Sequence, residues 1–519
     1  MQKLGLASPI IVAAAILLFA IQAQGQQERL QAAARALGST NLQTLAYSGV
    51  GANFAFGQAY SAGAPWPRFN LKSYTAQIDY KVPAMRVEWE RTLPEQTPPP
   101  GLSPNPLIWK GGGGAPPFIL PQRSDLIAVH MVQAVSGKDQ WNILGSDTAP
   151  AFTPVRARQL EIWMTPHGII KAAIQAGSRA VVKTSAQGGT IVTFPAAGAT
   201  VTATLNSQNL VERVVTPEDN PVLGDTSIET TYSDYRDFHG VKFPTHILRK
   251  EGDSPTLELT VTEVHPGAAV NIVVPQNIAQ AANQPRQAPP APKVEAKKLA
   301  DGIYRMEGPG VFYHSVAVEF RDYTVVIEGP MGDNLALPII RAVKQAVPNK
   351  PIKYVVNTHV NFDHAGGLRA FVAEGSTVIT HTSNKAYYEQ IWSRPHTIQP
   401  DRLAESPRPA VIETVADKRV ITDGEQRLEL YHLTAIWHNA GMLVAYVPKA
   451  KLLVVADLFE GLPKEPAPPN PDFQSLFNEI QRLKLDVALI SPLHVSLETM
   501  DDLRKAIANS SAITAPRGF

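Results

Sequence analysis

Residues Thr358 to Gly367 read THVNFDHAGG, and the reading of this stretch decides the fold. His359 and His364 bracket Asn361 and Asp363. The preceding Ile352–Asn357 (IKYVVN) is apolar and β-branched, as in a buried strand. The following Gly366–Ala373 (GGLRAFVA) opens with glycines and reads as a helix start. A strand that ends in a tight turn and feeds a helix aims several side chains at one point. Histidine and aspartate are groups that hold zinc without a thiolate, at ~2.0–2.2 Å.

Three further residues extend the pattern downstream. His438 (IWHNAGM), Asp457 (LLVVADLF) and His494 (LISPLHVS) each sit at one end of an apolar run that reads as a strand. With these in order, roughly residues 297 to 510 resemble the metallo-β-lactamase superfamily, whose signature is HxHxDH followed by single His, Asp and His ligands.

The resemblance implies a centre for one or two zinc ions. His359, the position of Asn361 and His438 would hold one ion; Asp363, His364 and His494 would hold the other, with Asp457 bridging. It further implies a metal-bound hydroxide, oriented by Asp363 as the catalytic carboxylate, attacking an ester, thioester, lactone or phosphoester of a small-molecule substrate. An Asp at position 457 looks more like the thioester, lactone and phosphoester hydrolases than the β-lactam-cleaving members, which tend to carry Cys or Ser there.

Asn361 departs from the pattern, standing where the second histidine is expected. An amide oxygen donates weakly beside an imidazole nitrogen. The centre containing Asp363, His364, Asp457 and His494 is therefore expected to fill first, and the other to be weak, empty, or suited to a harder metal such as manganese or iron. The same departure supports a rival expectation: a catalytically degenerate member that binds a ligand or lipid without turnover.

Around this core, 519 residues suffice for two or three domains. Lys+Arg 47 against Asp+Glu 46 argues against a dedicated nucleic-acid binder, so no nucleic-acid partner is expected. Residues 1–25, with Lys3, the apolar run Ile10–Ile21 and Ala23-Gln24-Gly25, read as a secretory signal peptide. No cysteine is present for lipid attachment or disulfides. A periplasmic or secreted protein, with no integral membrane domain after cleavage, is the expectation.

Residues 26–273 read as an antiparallel β-rich accessory domain. Alternating runs at Ser73–Tyr80, Met85–Arg91, Gln159–Met164, Gly189–Phe194, Val201–Leu205, Leu210–Val215, Ser227–Phe238 and Leu257–Val264 predict strands. Val241–Pro244 predicts an edge strand, Pro94–Pro117 a long loop, and Thr165-Pro166 a capped helix start. In texture the domain is similar to the curved-sheet periplasmic lipoprotein carriers, which would imply lipid contact. Residues 274–296, rich in Pro, Ala and Gln, predict a semi-extended linker. Residues 297–519 are then expected to form an αββα metallo-β-lactamase-like sandwich. His381, with Tyr387 or Tyr388, is expected near the motif, and Asn439 is expected to touch substrate or shape the His438 loop.

Overall fold

The computed structural model describes residues 24–92, 128–144, 147–151, 155–186, 188–282, 292–309, 311–462 and 470–511. The loop expected over 94–117 and the expected leader, apart from its last two positions, lie outside them. Among the described residues no helix is long and apolar enough to cross a membrane.

The front half is one antiparallel sheet of 13 strands running from Asp147–Pro150 at one edge to Val181–Thr184 at the other. Its first strand, Thr44–Phe54, lies mid-sheet against its last, Ser254–Pro266, which brings the beginning and end of this half together. In Ser254–Pro266 the side chains of Leu259, Val261 and Val264 are buried, with a register shift opposite Ser48/Gly49. That one extra residue returns Val264 to the core face despite its odd spacing. Helices over 24–37, Val155–Trp163 and Pro166–Ala176 cover this face, packing Leu30, Leu160 and Ile169 onto Tyr47, Ile78 and Phe243. Thr165 caps the last helix by accepting from Gly168 N–H, with Pro166 at its first turn, as predicted.

Three local expectations are corrected. Gln159–Met164 is not a strand but the end of the helix Val155–Trp163. Its alternation is short, while Arg, Ala, Gln, Leu and Glu favour helix. Buried Arg158 also fastens the helix by donating to the Ala134 and Trp141 carbonyls. Val241–Glu251 is an interior strand, not an edge. Pro244 is accommodated because pairing to Ser254–Pro266 begins only at His246. Finally, the linker is not extended throughout 274–296: Gln276–Ala282 is helical, and Ile278 packs on Ala134 and Trp141. Ala and Gln after Pro275 suit a helix.

The back half contains two sheets. Seven strands run in the order Glu295–Ala300, Ile303–Glu307, Ser315–Glu319, Thr324–Ile327, Ile352–Val356, Thr377–His381 and Ile412–Val415. The last four are parallel, and Thr324–Ile327 (TVVI) is fully buried, as a strand covered on both faces must be. Six strands from Lys418–Thr422 to Glu498–Thr499 form the second sheet, in which Leu452–Val455 and Leu489–Pro492 are parallel neighbours.

One apolar cluster joins Val316, Val325 and Val356 of the first sheet to Leu430, Ala445 and Val454 of the second. On the outer face of the first sheet pack helices Asp333–Ala346 and Leu368–Ala373; on that of the second, Pro471–Arg482 and Met500–Ser511. In Asp333–Ala346 the buried Leu335, Ile339 and Val343 recur every four residues along one face.

Candidate metal centre

The stretch Thr358–Gly367 leaves the strand Ile352–Val356 and turns into the short helices Phe362–Ala365 and Leu368–Ala373. Its glycines are required by close approach: a Cβ on Gly366 would lie 1.9 Å from the Met331 carbonyl oxygen. Asp457 follows Leu452–Val455 and His494 follows Leu489–Pro492, so the parallel pair delivers both to one rim. His438 comes from the loop before Leu443–Val447. Asp457 adopts φ 56°, a left-handed conformation that Asp tolerates better than most residues.

These side chains converge. His359 Nε2 lies 3.2 Å from His438 Nε2, and His364 Nε2 lies 3.1 Å from His494 Nε2. Asp457 Oδ2 is 3.0 Å from His364 Nε2, 3.3 Å from His359 Nε2 and 3.4 Å from His438 Nε2, while its Oδ1 is 2.7 Å from His494 Nε2. Asp363 Oδ2 stands 3.5 Å from His364 Nε2. His359–His438–Asp457 and Asp363–His364–His494 each offer ligand atoms within 4.8 Å of one another.

The donor set fits a cation. Asp457 Oδ2 is buried and, although close to three ring nitrogens, makes no hydrogen bond of acceptable geometry. Its other oxygen, Oδ1, is paired with His494 Nε2 at 2.7 Å, so Oδ2 is the oxygen left free for a cation among the three rings. The second ring nitrogens are held from outside. His364 Nδ1 is 3.1 Å from Glu328 Oε2; His359 Nδ1 is 2.9 Å from Thr358 Oγ1, whose hydroxyl in turn donates to Glu328 Oε2. Glu328, fully buried at φ 80°, thus takes up the Nδ1 side of both imidazoles and leaves Nε2 as the nitrogen that would ligate a bound cation. Asn357 closes the turn, donating from Nδ2 to the His359 carbonyl and accepting from Tyr388 and Thr380 hydroxyls.

Electrostatics point the same way. Burial opposes charging of His364, His438 and His494, yet the Asp457 carboxylate outweighs it and raises all three pKa values. Burial also opposes the Asp457 carboxylate, but the surrounding imidazoles hold its pKa well below the usual range. His359 is pushed down by burial and by the neighbouring His364. The Asp457 carboxylate thus favours positive charge on the rings of His364, His438 and His494.

A stretch of the front half completes the site. Gln58, on the loop after Thr44–Phe54, donates from Nε2 to Asp363 Oδ1 at 2.9 Å and accepts from Asn361 Nδ2 at 2.9 Å. The loop is tied on by Phe362 N–H to the Gly57 carbonyl, Ala440 N–H to the Tyr60 carbonyl, and Asn439 Nδ2 to the Ala59 carbonyl. Tyr313 Oη donates to Asp363 Oδ2 at 3.3 Å and lies edge-on to His494. The side chains of His359 and His364 are sealed, whereas those of Asp363 and His494 are 23 % and 19 % exposed, so the opening lies on their side.

All seven residues singled out in the sequence, His359, Asn361, Asp363, His364, His438, Asp457 and His494, come together here. Asn361 contributes an N–H toward His438 Nε2 at 3.3 Å, with its Oδ1 buried and unpartnered. His381 stacks on His432 at 4.0 Å and bonds Ser383. Asn439 is fully buried and shapes its loop, accepting from Gly441 N–H. Sequence reasoning missed Gln58 and Tyr313. The turn-rich FGQAYSAGAPW marks a loop, but no residue in it indicates a partner some 300 positions away.

Residues 308–508 match the family model described as "Metallo-beta-lactamase superfamily". No curated protein matches the chain. Among solved structures, a metallo-beta-lactamase from Pontibacter korlensis is 19% identical, over 42% of this chain and 99% of that one, with a TM-score of 0.33. The DIM-1 metallo-beta-lactamase exposed to ceftazidime is 16% identical, over 43% and 99%, with a TM-score of 0.33. The rubredoxin oxygen:oxidoreductase of the anaerobe Desulfovibrio gigas is 15% identical, over 42% and 61%, also at 0.33. The back half of the chain, over residues 308–508, is a domain of the metallo-beta-lactamase superfamily.

Proposed function

We propose that the protein is an exported metal-dependent hydrolase that cleaves an ester, thioester, lactone or phosphoester of a small molecule. Asp363, His364, Asp457 and His494 would hold the first ion, and His359 and His438 would border a weaker position. The observation that carries this reading is the convergence of four imidazole Nε2 atoms on the orphaned Asp457 Oδ2 and its partner oxygen. The expected αββα sandwich is supported by the apolar cluster between the two sheets and the helices outside each.

Zinc, when bound in such a set, lowers the pKa of a coordinated water to ~7 and polarises the oxygen of the group under attack; manganese or iron are the alternatives. The chain's own residues do the positioning. Gln58 and Tyr313 each donate to one oxygen of Asp363, fixing the plane of the carboxylate that faces the exposed side. Glu328 keeps His359 and His364 as acceptors toward the centre. Tyr313 stays protonated, because burial and the Asp363 carboxylate push its pKa far up, so its hydroxyl serves as a donor at the mouth.

Zinc-reconstituted protein, assayed on thioester, lactone, aryl ester and phosphodiester substrates, should turn over at least one class and lose that activity in Asp457→Ala. A second reading, binding of a ligand or lipid without turnover, is favoured by Asn361 in place of an imidazole. Asn361→His should raise metal content toward two ions per chain and increase turnover if the hydrolase reading holds. No gain in either supports the binding protein.

A further inference from the structure

Asp363 and Asn361 are bridged by a single side chain from the other half of the molecule, and the chemistry of that bridge fixes a polarity. A carboxylate oxygen only accepts. Gln58 must therefore turn its Nε2 toward Asp363 Oδ1, at 2.9 Å, which leaves its Oε1 facing Asn361. Oε1 also only accepts, so Asn361 must turn its Nδ2 to it, again at 2.9 Å. The other Nδ2 proton then faces the centre beside His438 Nε2, at 3.3 Å, and Asn361 Oδ1 is left buried without a partner.

Reversing Asn361 alone would set two amide oxygens against each other. Reversing both amides would set Gln58 Oε1 against the Asp363 carboxylate. The orphaned Oδ1, which costs about 1–3 kcal/mol, is the smaller penalty.

From this we infer that Gln58 is a positioning residue which holds Asn361 as a hydrogen-bond donor toward the centre, and that the front half thereby restricts the protein to one tightly held ion. The inference rests on the proposed metal-dependent reading and deepens it. Where the superfamily pattern has a lone pair, this centre has an N–H, which repels a cation beside His359 and His438. The same N–H suits an oxygen atom of the substrate, carbonyl or phosphoryl. Nothing about the bridge is loose. Gln58 and Asn361 are both buried, and the loop carrying Gln58 is pinned at Gly57 against Phe362, whose ring would lie 2.8 Å from any Cβ there.

The test is a zinc titration of chelator-stripped full-length protein against a chromophoric competitor. Wild type should bind one equivalent tightly and a second far more weakly. Gln58→Met, which keeps volume but frees the Asn361 amide to rotate its oxygen inward, should tighten the second equivalent by about tenfold or more, while the first weakens because Asp363 Oδ1 loses its donor. Asn361→Leu, which removes the N–H, should not weaken the second equivalent. The proposal is overturned if Gln58→Met, folded and still binding a first ion, leaves the second no tighter than in wild type. It is equally overturned if Asn361→Leu weakens the second, because Asn361 would then ligate through oxygen. Should Gln58→Met fail to fold, Gln58→Ala and the Asn361→Leu titration decide the matter. Wild type that binds no ion at all defeats the metal-dependent reading itself, an outcome distinct from either of these.

Discussion

Gln58 Nε2 and Asp363 Oδ1, 305 positions apart in the chain, lie 2.9 Å from one another. The contact makes the candidate centre a joint product of both halves: the back half brings the convergent side chains, and the front half orients two of them. The loop bearing Gln58 enters through a conformation that few residues can adopt. Gly57 has φ +80°, and a Cβ there would lie 2.8 Å from the Phe362 ring, which packs edge-on with Phe56 and Trp66.

Gly57→Val should therefore cost about 1–3 kcal/mol in backbone strain alone, with the clash against Phe362 added. The expected outcome is a lower melting temperature and new protease cleavage within residues 55–67. A wild-type melting curve and cleavage pattern would contradict the docking described above.

Glu328 governs two imidazoles through one carboxylate, directly for His364 and through Thr358 for His359. Glu328→Gln preserves shape but turns the anionic acceptor shared by His364 Nδ1 and the Thr358 hydroxyl into a neutral amide oxygen, and sets its own N–H against Asn357 Nδ2. Metal affinity should fall about 10–100-fold, read by chelator competition, with far-ultraviolet circular dichroism unchanged. An unaltered affinity would mean that Glu328 only fills space.

His364, His438 and His494 hold protons more firmly than free imidazole does, since the Asp457 carboxylate raises all three against the effect of burial. An entering ion must displace those protons. The sign follows: affinity rises with pH and falls as protons compete. Zinc added at pH 7 in weak buffer should release at least about one proton per ion, followed with a pH indicator. Binding without proton release would contradict coordination through these rings.

Stability of the front half should have its own pH dependence. His167 is fully buried, stacked on Phe243 at 5.8 Å, and burial with the Lys171 ammonium lowers its pKa to about 4 despite nearby carbonyls of Leu37 and Lys242. The unfolded ring titrates near 6.5. Between these values the unfolded chain binds the extra proton, so stability is full above about pH 6.5 and is lost as pH falls toward 4. The loss is roughly 3 kcal/mol. Denaturant melts from pH 7 to pH 4 should show it, and His167→Phe should flatten the curve over that window.

Much of this was legible in the sequence. The strands Ile352–Val356, Leu452–Val455 and Leu489–Pro492 are short apolar runs, each ending in a group that can bind a metal, and such runs keep their identity in the folded chain. The helix Val155–Trp163 was not legible, because Leu160, Ile162 and Met164 alternate as in a half-buried strand and the Arg158 bonds that fasten the helix are tertiary. Val241–Glu251 was misplaced because one proline weighed more than the neighbours that flank it. The roles of Gln58 and Tyr313 escaped altogether. A glutamine or a tyrosine has no metal-binding signature, and both act on Asp363 only through contacts that folding creates.

Whether Asp457 and its imidazoles hold a metal ion is read by elemental analysis of purified full-length protein, reconstituted and then freed of loosely held metal. About one tightly held zinc, manganese or iron ion per chain is expected, lost in Asp457→Ala. Wild-type protein that retains no zinc, manganese or iron, or Asp457→Ala protein that keeps a full equivalent, would contradict it.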